Sequence, residues 1–197
     1  APRLELWLAI EGEAPQLFTF TDPLREDTAA TITRLKSLGL RLVMLSGDRK
    51  AMVANVATQL GLDEAVGEMK PGEKFAYLEK LRAEGRKIGM VGDGLNDAPT
   101  LAGADVSLSP ATAIDMAQNA ADIVFMGDRL EPVAKAITIA RFTQHLVRQN
   151  FIIAIAYNVI AVPIAMAGFI TPLYAALAMS ASSLMVIGNA FRLKRRV

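Results

Sequence analysis

Residues 87–99 read KIGMVGDGLNDAP, an apolar run that ends in a Gly-Asp-Gly turn. A second apolar run, RLVML at 41–45, ends in a similar way at Ser46-Gly47-Asp48. Between the two runs lie stretches with helical periodicity, one at about 50–60 and one that starts at Pro71. Further strands are predicted at 106–108 and 122–126. Since strand–helix–strand units of this length form parallel sheets with right-handed crossovers, the sequence predicts an α/β fold with a parallel sheet.

Side chains suited to phosphate chemistry follow these strands. Parallel sheets place their chemistry at the carboxyl ends of the strands, where Ser46 and Asp93 both fall. A hydroxyl beside a glycine turn can donate hydrogen bonds to phosphate, and Lys74 can offset phosphate charge. Asp93 and Asp97, four residues apart, can hold Mg²⁺, which prefers oxygen ligands. Each feature alone is common in turns and on surfaces, but their order on successive strand ends indicates a site that handles a phosphoryl group.

Composition narrows the class of protein. The formal net charge of +1 gives no reason to expect nucleic acid as a partner, whereas 52% hydrophobic residues exceed the ~45–50% typical of soluble domains. Without cysteine, these residues contain no disulfide and no thiolate metal site. Residues 1–13 do not resemble a signal peptide, and because the sequence does not begin with Met we expect it to be a fragment or a processed product.

The excess apolar content lies near the C-terminus. No Asp, Glu, Lys or Arg occurs in the 43 residues between Arg148 and Arg192. A membrane-spanning helix needs about 20 mostly apolar residues. The stretch therefore predicts two spans, at about 149–168 and 172–191, broken around Gly168–Pro172. The alternative, a buried core hairpin, would need more covering mass than the rest of the chain supplies.

Basic residues flank this stretch on both sides. They are Arg141, Arg148, Arg192, Lys194, Arg195 and Arg196. Because positively charged flanks favour the cytoplasmic side, the sequence predicts an integral membrane protein with both termini in the cytoplasm and the lipid bilayer as a partner. The basic tail at 192–196 is expected to contact anionic lipid.

The motif GDGLNDAP at 92–99 resembles the hinge-region signature of P-type ATPases. Other motifs follow the family's order. Asp22-Pro23-Leu24-Arg25 is similar to the hinge from the nucleotide domain, Ser46-Gly47-Asp48 to the usual Thr-Gly-Asp, and Lys74 to the Lys of Pro-x-x-Lys. The resemblance covers essentially the whole chain and implies a haloacid-dehalogenase-like fold, which is a Rossmann-like parallel sheet.

The resemblance also implies roles for individual residues. The implied catalytic and phosphate-binding residues are Ser46, Gly47, Asp48, Lys74, Asp93, Asn96 and Asp97. Ser46 would contact the phosphoryl group, Lys74 would neutralise it, and Asp93 would bind Mg²⁺. Asp97 is a further candidate magnesium ligand, Asn96 completes the site, and Asp48 would lie near bound ATP.

One part of the family pattern is missing. The nucleophile of these pumps is an Asp in an Asp-Lys-Thr-Gly-Thr motif, which the 197 residues do not contain. The resemblance implies that 1–21 are C-terminal strands of the nucleotide-binding domain. Residues 22–143 would be a phosphorylation domain without its first strand and nucleophile, and 144–197 two transmembrane helices with a basic cytosolic tail. The implied partner is the rest of a pump polypeptide, with its actuator domain, nucleotide domain and earlier helices, and the chain alone is expected to be inactive.

Two motifs in the apolar stretch indicate the transported ion. Tyr157-Asn158 and Met179-Ser180-Ala181-Ser182-Ser183 resemble the YN and MxxSS signatures of copper(I)-transporting P-type ATPases. A methionine thioether is a soft ligand that suits Cu⁺. The implied copper pathway comprises Tyr157, Asn158, Met179, Ser182 and Ser183, and a copper chaperone is an implied partner. Zinc, cadmium and lead pumps of this class typically carry an intramembrane Lys and Asp, which are absent here.

The end of the second span suggests a subtype. Its continuation into Gly188-Asn189-Ala190-Phe191-Arg192 is similar to pumps that supply copper for cytochrome oxidase assembly, which implies a bacterial inner membrane.

Three alternatives remain open: a pump for another heavy metal, a membrane-tethered phosphatase of the same fold, and a non-catalytic membrane-anchored domain. A phosphatase needs its own Asp-x-Asp motif, and none occurs here. The non-catalytic alternative gives no reason for Lys74, Asp93 and Asp97 to occur together with Met, Ser and Asn residues in lipid. An Asp-Lys-Thr-Gly-Thr motif encoded upstream would favour the pump, and a nearby start codon would favour the alternatives.

Overall fold

The computed structural model describes residues 4–20, 23–169 and 171–195. The chain divides into two compact units, Ala1–Ala134 and Lys135–Val197. Asp22, the first residue of the hinge-like motif, lies outside the described residues.

The first unit begins with a two-stranded antiparallel hairpin. β1 (Leu4–Leu8) pairs with β2 (Gln16–Phe20). Large apolar side chains are exposed on it, among them Trp7 at 60% and Phe18 at 43%. No other described strand joins this sheet. Since an isolated hairpin is marginally stable in water, this one needs a further apolar partner to be stable.

The rest of the first unit alternates helices and strands. The elements are α1 (Thr28–Ser37), β3 (Val43–Leu45), α2 (Lys50–Leu60), β4 (Glu64–Val66), α3 (Pro71–Ala83), β5 (Gly89–Val91), α4 (Ala98–Gly103), β6 (Val106–Pro110), α5 (Asp115–Ala120) and β7 (Ile123–Phe125). The β3–β4, β5–β6 and β6–β7 pairs are all parallel. The core is apolar, with Val53 of α2, Leu78 of α3 and Leu101 of α4 almost fully buried. The predicted α/β fold with a parallel sheet is confirmed.

The parallel strands form two sheets rather than one. β3 pairs only with β4, and β5 pairs only with β6 among the described residues. Both strands therefore have one edge whose backbone N–H and C=O groups are open to another strand. β4 itself was not predicted, because three residues that include Glu64 are too few to show a period-2 pattern.

An aspartate stands immediately before each of β4, β6 and β7 and fixes the neighbouring strand. The carboxylates accept backbone N–H groups at 2.8, 2.9 and 2.8 Å, in the pairs Asp63 with Leu42, Asp105 with Ile88 and Asp122 with Ser107. These backbone hydrogen bonds lower the pKa of all three carboxyl groups below the usual aspartate range. The acceptors hold the strand register at the amino end of each sheet.

We expect Asp122→Asn to flatten the acid dependence of the stability of the first unit. The folded-state pKa of Asp122 is lowered by hydrogen bonds from the backbone and side chain of Ser107. Its stabilisation is therefore complete above the unfolded-state pKa of about 3.9 and is lost as the pH falls through the folded-state pKa. Urea midpoints should fall from about pH 4 towards pH 2 in the parent, and less steeply in the variant.

A matched control is Ser107→Ala, which removes the hydroxyl donor and keeps the larger contribution, the backbone donor. It should retain most of the parent's slope. Equal slopes for the parent and Asp122→Asn would show that this carboxylate does not stabilise the sheet.

The second unit consists mainly of two long apolar helices. α6 (Glu131–Met166) begins in the first unit and continues for 36 residues, and α7 (Pro172–Ala190) has 19. Both are long and apolar enough to cross a membrane, and their most apolar windows are unburied. The turn between them contains Gly168 with a φ of 79°. The first predicted span, at about 149–168, is the C-terminal part of the one continuous helix α6, which begins at Glu131.

Candidate functional site

Lys74 and Asp97 form the most buried ion pair of the described residues. Lys74 lies in α3, and Asp97 ends a 3₁₀ turn at Leu95–Asp97 that follows β5. The Lys74 Nζ donates to Asp97 Oδ1 at 2.7 Å, and the two side chains are 11% and 16% exposed. The first turn of α3 is held because the Lys70 backbone N–H donates to the Glu73 carboxylate at 2.8 Å. This cap fixes the position from which Lys74 reaches Asp97.

The turn after β5 depends on a glycine. A Cβ built on Gly92 would lie 3.0 Å from the Cβ of Asp97 and 3.3 Å from its carboxyl carbon. Any larger residue would push against the carboxylate that Lys74 holds. Gly92 therefore allows Asp97 to fold back against the end of the strand.

Asp93 extends outward from the same turn. Its side chain is 62% exposed, and its Oδ2 lies 3.5 Å from Nη2 of Arg25. The other terminal nitrogen of Arg25, Nη1, is buried and has no hydrogen-bond partner among the described residues. A cavity of about 230 Å³ adjoins the pair, with Pro110 and Phe125 from the ends of β6 and β7 in its lining. Asp93 is thus an accessible carboxylate at the carboxyl edge of the three-stranded sheet.

Ser46 and Asp48 form a closed turn after β3. The Ser46 Oγ donates to Asp48 Oδ2 at 2.7 Å and accepts from the Asp48 backbone N–H at 3.1 Å. The segment 67–69 supports this turn: Met69 N–H donates to the Ser46 carbonyl at 3.0 Å and Glu68 N–H to the Asp48 carbonyl at 2.7 Å. Because the same segment leads into α3, the Ser46 turn and Lys74 are connected through a short stretch of backbone.

The described contacts join some of the predicted site residues and not others. Lys74 contacts Asp97, and Ser46 contacts Asp48. Within residues 4–20, 23–169 and 171–195, no hydrogen bond or ion pair joins Asp93 to Lys74 or Ser46. Gly47 and Asn96 are exposed. The Arg25 contact with Asp93 was missed from sequence, although Arg25 belongs to the hinge-like motif quoted for the resemblance.

Asp93 and Asp97 suit a magnesium ion that is also held by water and phosphate oxygens. The described residues contain no group of three or more His, Cys, Asp or Glu side chains that could enclose a metal. Mg²⁺ is commonly held by one or two carboxylates together with water and phosphate oxygens. Asp93 suits this role because it is exposed and its one ion-pair contact is at 3.5 Å. Asp97 has one oxygen on Lys74, which leaves Oδ2 as its available donor atom.

The predicted ion-pathway residues lie in α6 and α7. The Asn158 Nδ2 donates to the Ala154 carbonyl at 2.9 Å, and the Ser183 Oγ donates to the Met179 carbonyl at 3.1 Å. Both bonds stay inside their own helix, as is common for polar residues in apolar helices. Tyr157 and Ser182 are half-buried, and the Met179 side chain is 66% exposed. These residues therefore do not form a closed ligand set within the described contacts.

The fold agrees with comparisons to known proteins. A family model described as haloacid dehalogenase-like hydrolase matches residues 3–105, more than half of the chain. The chain therefore belongs to the haloacid dehalogenase-like hydrolase family.

Its relatives narrow the class further. The chain is 50% identical over 193 residues to nitrogen fixation protein FixI of Rhizobium leguminosarum bv. viciae, covering 98% of this chain and 25% of that protein. It is 42% identical over 197 residues to copper-transporting ATPase 2 of Rhizobium meliloti (strain 1021), covering 96% and 24%. A solved zinc-transporting PIB-type ATPase in the E2P state matches with a TM-score of 0.82 and 32% identity, over 90% of this chain and 29% of that one.

Within the family, the chain is a homologue of the heavy-metal (P1B) P-type ATPases. It spans about a quarter of the length of the curated relatives it matches.

Proposed function

We propose that this chain is part of an ATP-driven copper(I)-translocating P-type ATPase. In that pump it supplies the magnesium-binding half of the phosphorylation site and two helices of the ion pathway. The observation that carries the proposal is the buried Lys74–Asp97 pair beside the accessible carboxylate of Asp93, in a chain that continues into two long apolar helices. The chain alone is inactive as an ATPase because the nucleophile comes from elsewhere in the polypeptide.

The open edges of β3 and β5 indicate where that nucleophile enters. Each strand has one edge without a described partner, and Ser46 and Asp93 follow the two strands directly. A parallel strand that paired with these edges would end beside both residues, since carboxyl ends of parallel strands meet at one side of a sheet. We assign this position to the strand that carries the Asp-Lys-Thr-Gly-Thr motif.

Several residues of the chain would have separate roles at the phosphoryl group. Asp93, with Asp97 nearby, would hold Mg²⁺, which would supply positive charge to offset that of the phosphate. The Lys74 ammonium, already positioned by Asp97, places a fixed positive charge where negative charge develops. The Ser46 hydroxyl can exchange its bond to Asp48 for a phosphate oxygen, and Gly47, Asp48 and Asn96 complete the contacts to phosphate and ATP. The Arg25 guanidinium orients Asp93 from the side.

The residues of the two apolar helices favour copper(I) as the transported ion. A second candidate is another heavy metal, because the solved zinc-transporting pump matches 90% of this chain. A divalent ion within the membrane needs anionic ligands to offset its desolvation. The stretch between Arg148 and Arg192 contains no carboxylate, while Met179 offers a soft thioether that suits a monovalent Cu⁺. Tyr157, Asn158, Ser182 and Ser183 would complete the pathway.

We also propose where the chain lies in the cell and which partners it contacts. The two helices cross a lipid bilayer with both termini on the cytoplasmic side, in agreement with the basic flanks. The membrane is assigned as the bacterial inner membrane, and the partners are the remaining pump domains and a copper chaperone. Copper supply to cytochrome oxidase assembly is the subtype assigned from the second-span motif.

A methionine pair on α7 tests the copper assignment. We expect Met179→Leu in the full-length polypeptide to raise the Cu⁺ concentration for half-maximal ATPase stimulation by at least about tenfold. Substitution of residues that only support metal ligands already lowers metal affinity or activity by about 10- to 100-fold, and loss of a ligand should have at least that effect. Met185→Leu is the matched control, because Met185 lies on the same helix with a similar exposure, 59% against 66%. Equal copper dependence in both variants would remove Met179 from the ligand set.

A further inference from the structure

A polar network joins the middle of α6 to the C-terminal end of α7, at the border of the charge-free stretch. The Asn189 Nδ2 donates to Asn150 Oδ1 at 2.9 Å and lies 3.4 Å from Gln149 Oε1. The Arg192 Nη1 donates to Asn189 Oδ1 at 3.0 Å and lies 3.4 Å from Gln149 Oε1. The Gln149 Nε2 lies 3.0 Å from His145 Nε2. Two helices therefore hold one guanidinium between them.

The network orients the charge of Arg192 without neutralising it. Both acceptors of Nη1 are neutral amide oxygens, and Nη2 and Nε donate to no residue of the described ranges. The sequence contains no Asp or Glu after Glu131, whereas Lys and Arg occur at seven positions in that region. A guanidinium with free donors and no carboxylate is a fixed site for an anion with several acceptor oxygens.

A cavity of about 380 Å³ lies beside this guanidinium. Gln149, Asn189 and Arg192 form its polar end, and Ile152 and Ile153 its apolar wall. Gln149 and Arg192 mark the two borders of the charge-free stretch, and the isoleucines lie about one turn further into it. The cavity thus changes from cationic to apolar in the direction in which a phospholipid changes from phosphate to acyl chain.

We propose that this cavity binds one anionic phospholipid of the cytoplasmic leaflet, with its phosphate on Arg192 and its glycerol and upper acyl chain against Ile152 and Ile153. The proposal rests on the proposed membrane placement of α6 and α7. Gln149 and Asn189 are positioning residues that hold the guanidinium towards the phosphate. Occupation of the site links α6 and α7 at the cytoplasmic border of the proposed spans.

Native mass spectrometry of the full-length polypeptide that contains this chain, in detergent with phosphatidylglycerol or phosphatidylcholine added, tests the site. We expect one phosphatidylglycerol to bind in preference to phosphatidylcholine. Arg192→Gln should weaken that binding more than about tenfold, because it removes charge-assisted hydrogen bonds. Lys194→Gln, the matched control, loses the same charge two residues away and outside the cavity lining, and should weaken binding by no more than about fivefold. Arg192→Lys should fall between them, and circular dichroism should show unchanged helix content.

The outcomes separate this proposal from the proposed function. Equal losses for Arg192→Gln and Lys194→Gln, or equal binding of the two lipids, would show a diffuse basic surface and overturn the site. Displacement of the lipid by soluble glycerol phosphate would show a phosphate site rather than a lipid site. Failure of the chain to associate with phosphatidylcholine vesicles would overturn the membrane placement, and this site with it.

Discussion

Asp93→Asn in the full-length polypeptide that carries this chain is expected to lower the rate of phosphoenzyme formation from ATP by at least about a hundredfold, since a bound metal supplies several kcal/mol of charge stabilisation. The carboxylate is 62% exposed, and its ion pair with Arg25 is long, so its removal should leave folding almost unchanged. Loss of labelling would therefore report lost magnesium binding rather than lost structure. The measurement is the initial rate of ³²P incorporation over a range of Mg²⁺ concentrations.

The control for this experiment is an exposed carboxylate of the same unit that is not among the predicted site residues. Asp115, in the first turn of α5, is exposed, and the predicted phosphate contacts do not include it. Asp115→Asn should form phosphoenzyme at the parent rate. Parent-like labelling by Asp93→Asn, at parent-like magnesium concentrations, would overturn the magnesium role of Asp93.

Lys74→Met is expected to lower the free energy of unfolding around α3 by about 3–5 kcal/mol, the usual cost of leaving one member of a buried ion pair alone. The Asp97 carboxylate, 16% exposed, would lose its 2.7 Å contact with Lys74 while the methionine filled nearly the same volume. Hydrogen exchange of α3 amides measures this change. Phosphoenzyme formation should also be lost, because the fixed positive charge is gone.

Two further variants separate the ion pair from general effects of the substitution. Lys80→Met, on an exposed face of the same helix, should change the free energy by less than about 0.5 kcal/mol. Adding Asp97→Leu to Lys74→Met should recover part of the lost stability, since the buried charge is then removed as well. A double variant no more stable than Lys74→Met would contradict the assignment of the loss to the unpaired carboxylate.

The sequence predicted the site through local patterns. Apolar runs that end in Ser46-Gly47-Asp48 and in Gly92-Asp93-Gly94 predicted strands with polar ends, and Pro71 predicted the start of the helix that carries Lys74. The structure confirms the parallel α/β arrangement that these runs imply. Such patterns succeed because strand and helix signals depend on neighbouring residues.

What the sequence did not show depends on distant residues. The Arg25–Asp93 pair, the three aspartates that hold the strand starts and the Asn150–Asn189 bond all join different elements. The division of the sheet was also missed, because strand pairing at β3 and β5 is a tertiary property. The first span was bounded at about 149 because the charged residues end at Arg148, whereas the helix itself begins at Glu131.

The open edges and the apolar hairpin have a common explanation in the proposed pump. β3 and β5 lack one strand partner each, and Trp7 and Phe18 of the hairpin are exposed although both are large and apolar. Surfaces of this kind are stable when another part of the protein covers them. In the proposed pump, the strand with the nucleophile covers the open edges of β3 and β5, and the rest of the nucleotide-binding domain covers the apolar hairpin.

Phosphoenzyme formation from ³²P-labelled ATP by the full-length polypeptide, with Cu⁺ and Zn²⁺ compared at equal concentrations, tests the central claim most directly. The account predicts a hydroxylamine-sensitive label that needs Mg²⁺ and is stimulated by Cu⁺ much more than by Zn²⁺. Stimulation by Zn²⁺ alone would contradict the copper assignment, and a polypeptide that forms no acyl phosphate under any of these conditions would contradict the pump itself.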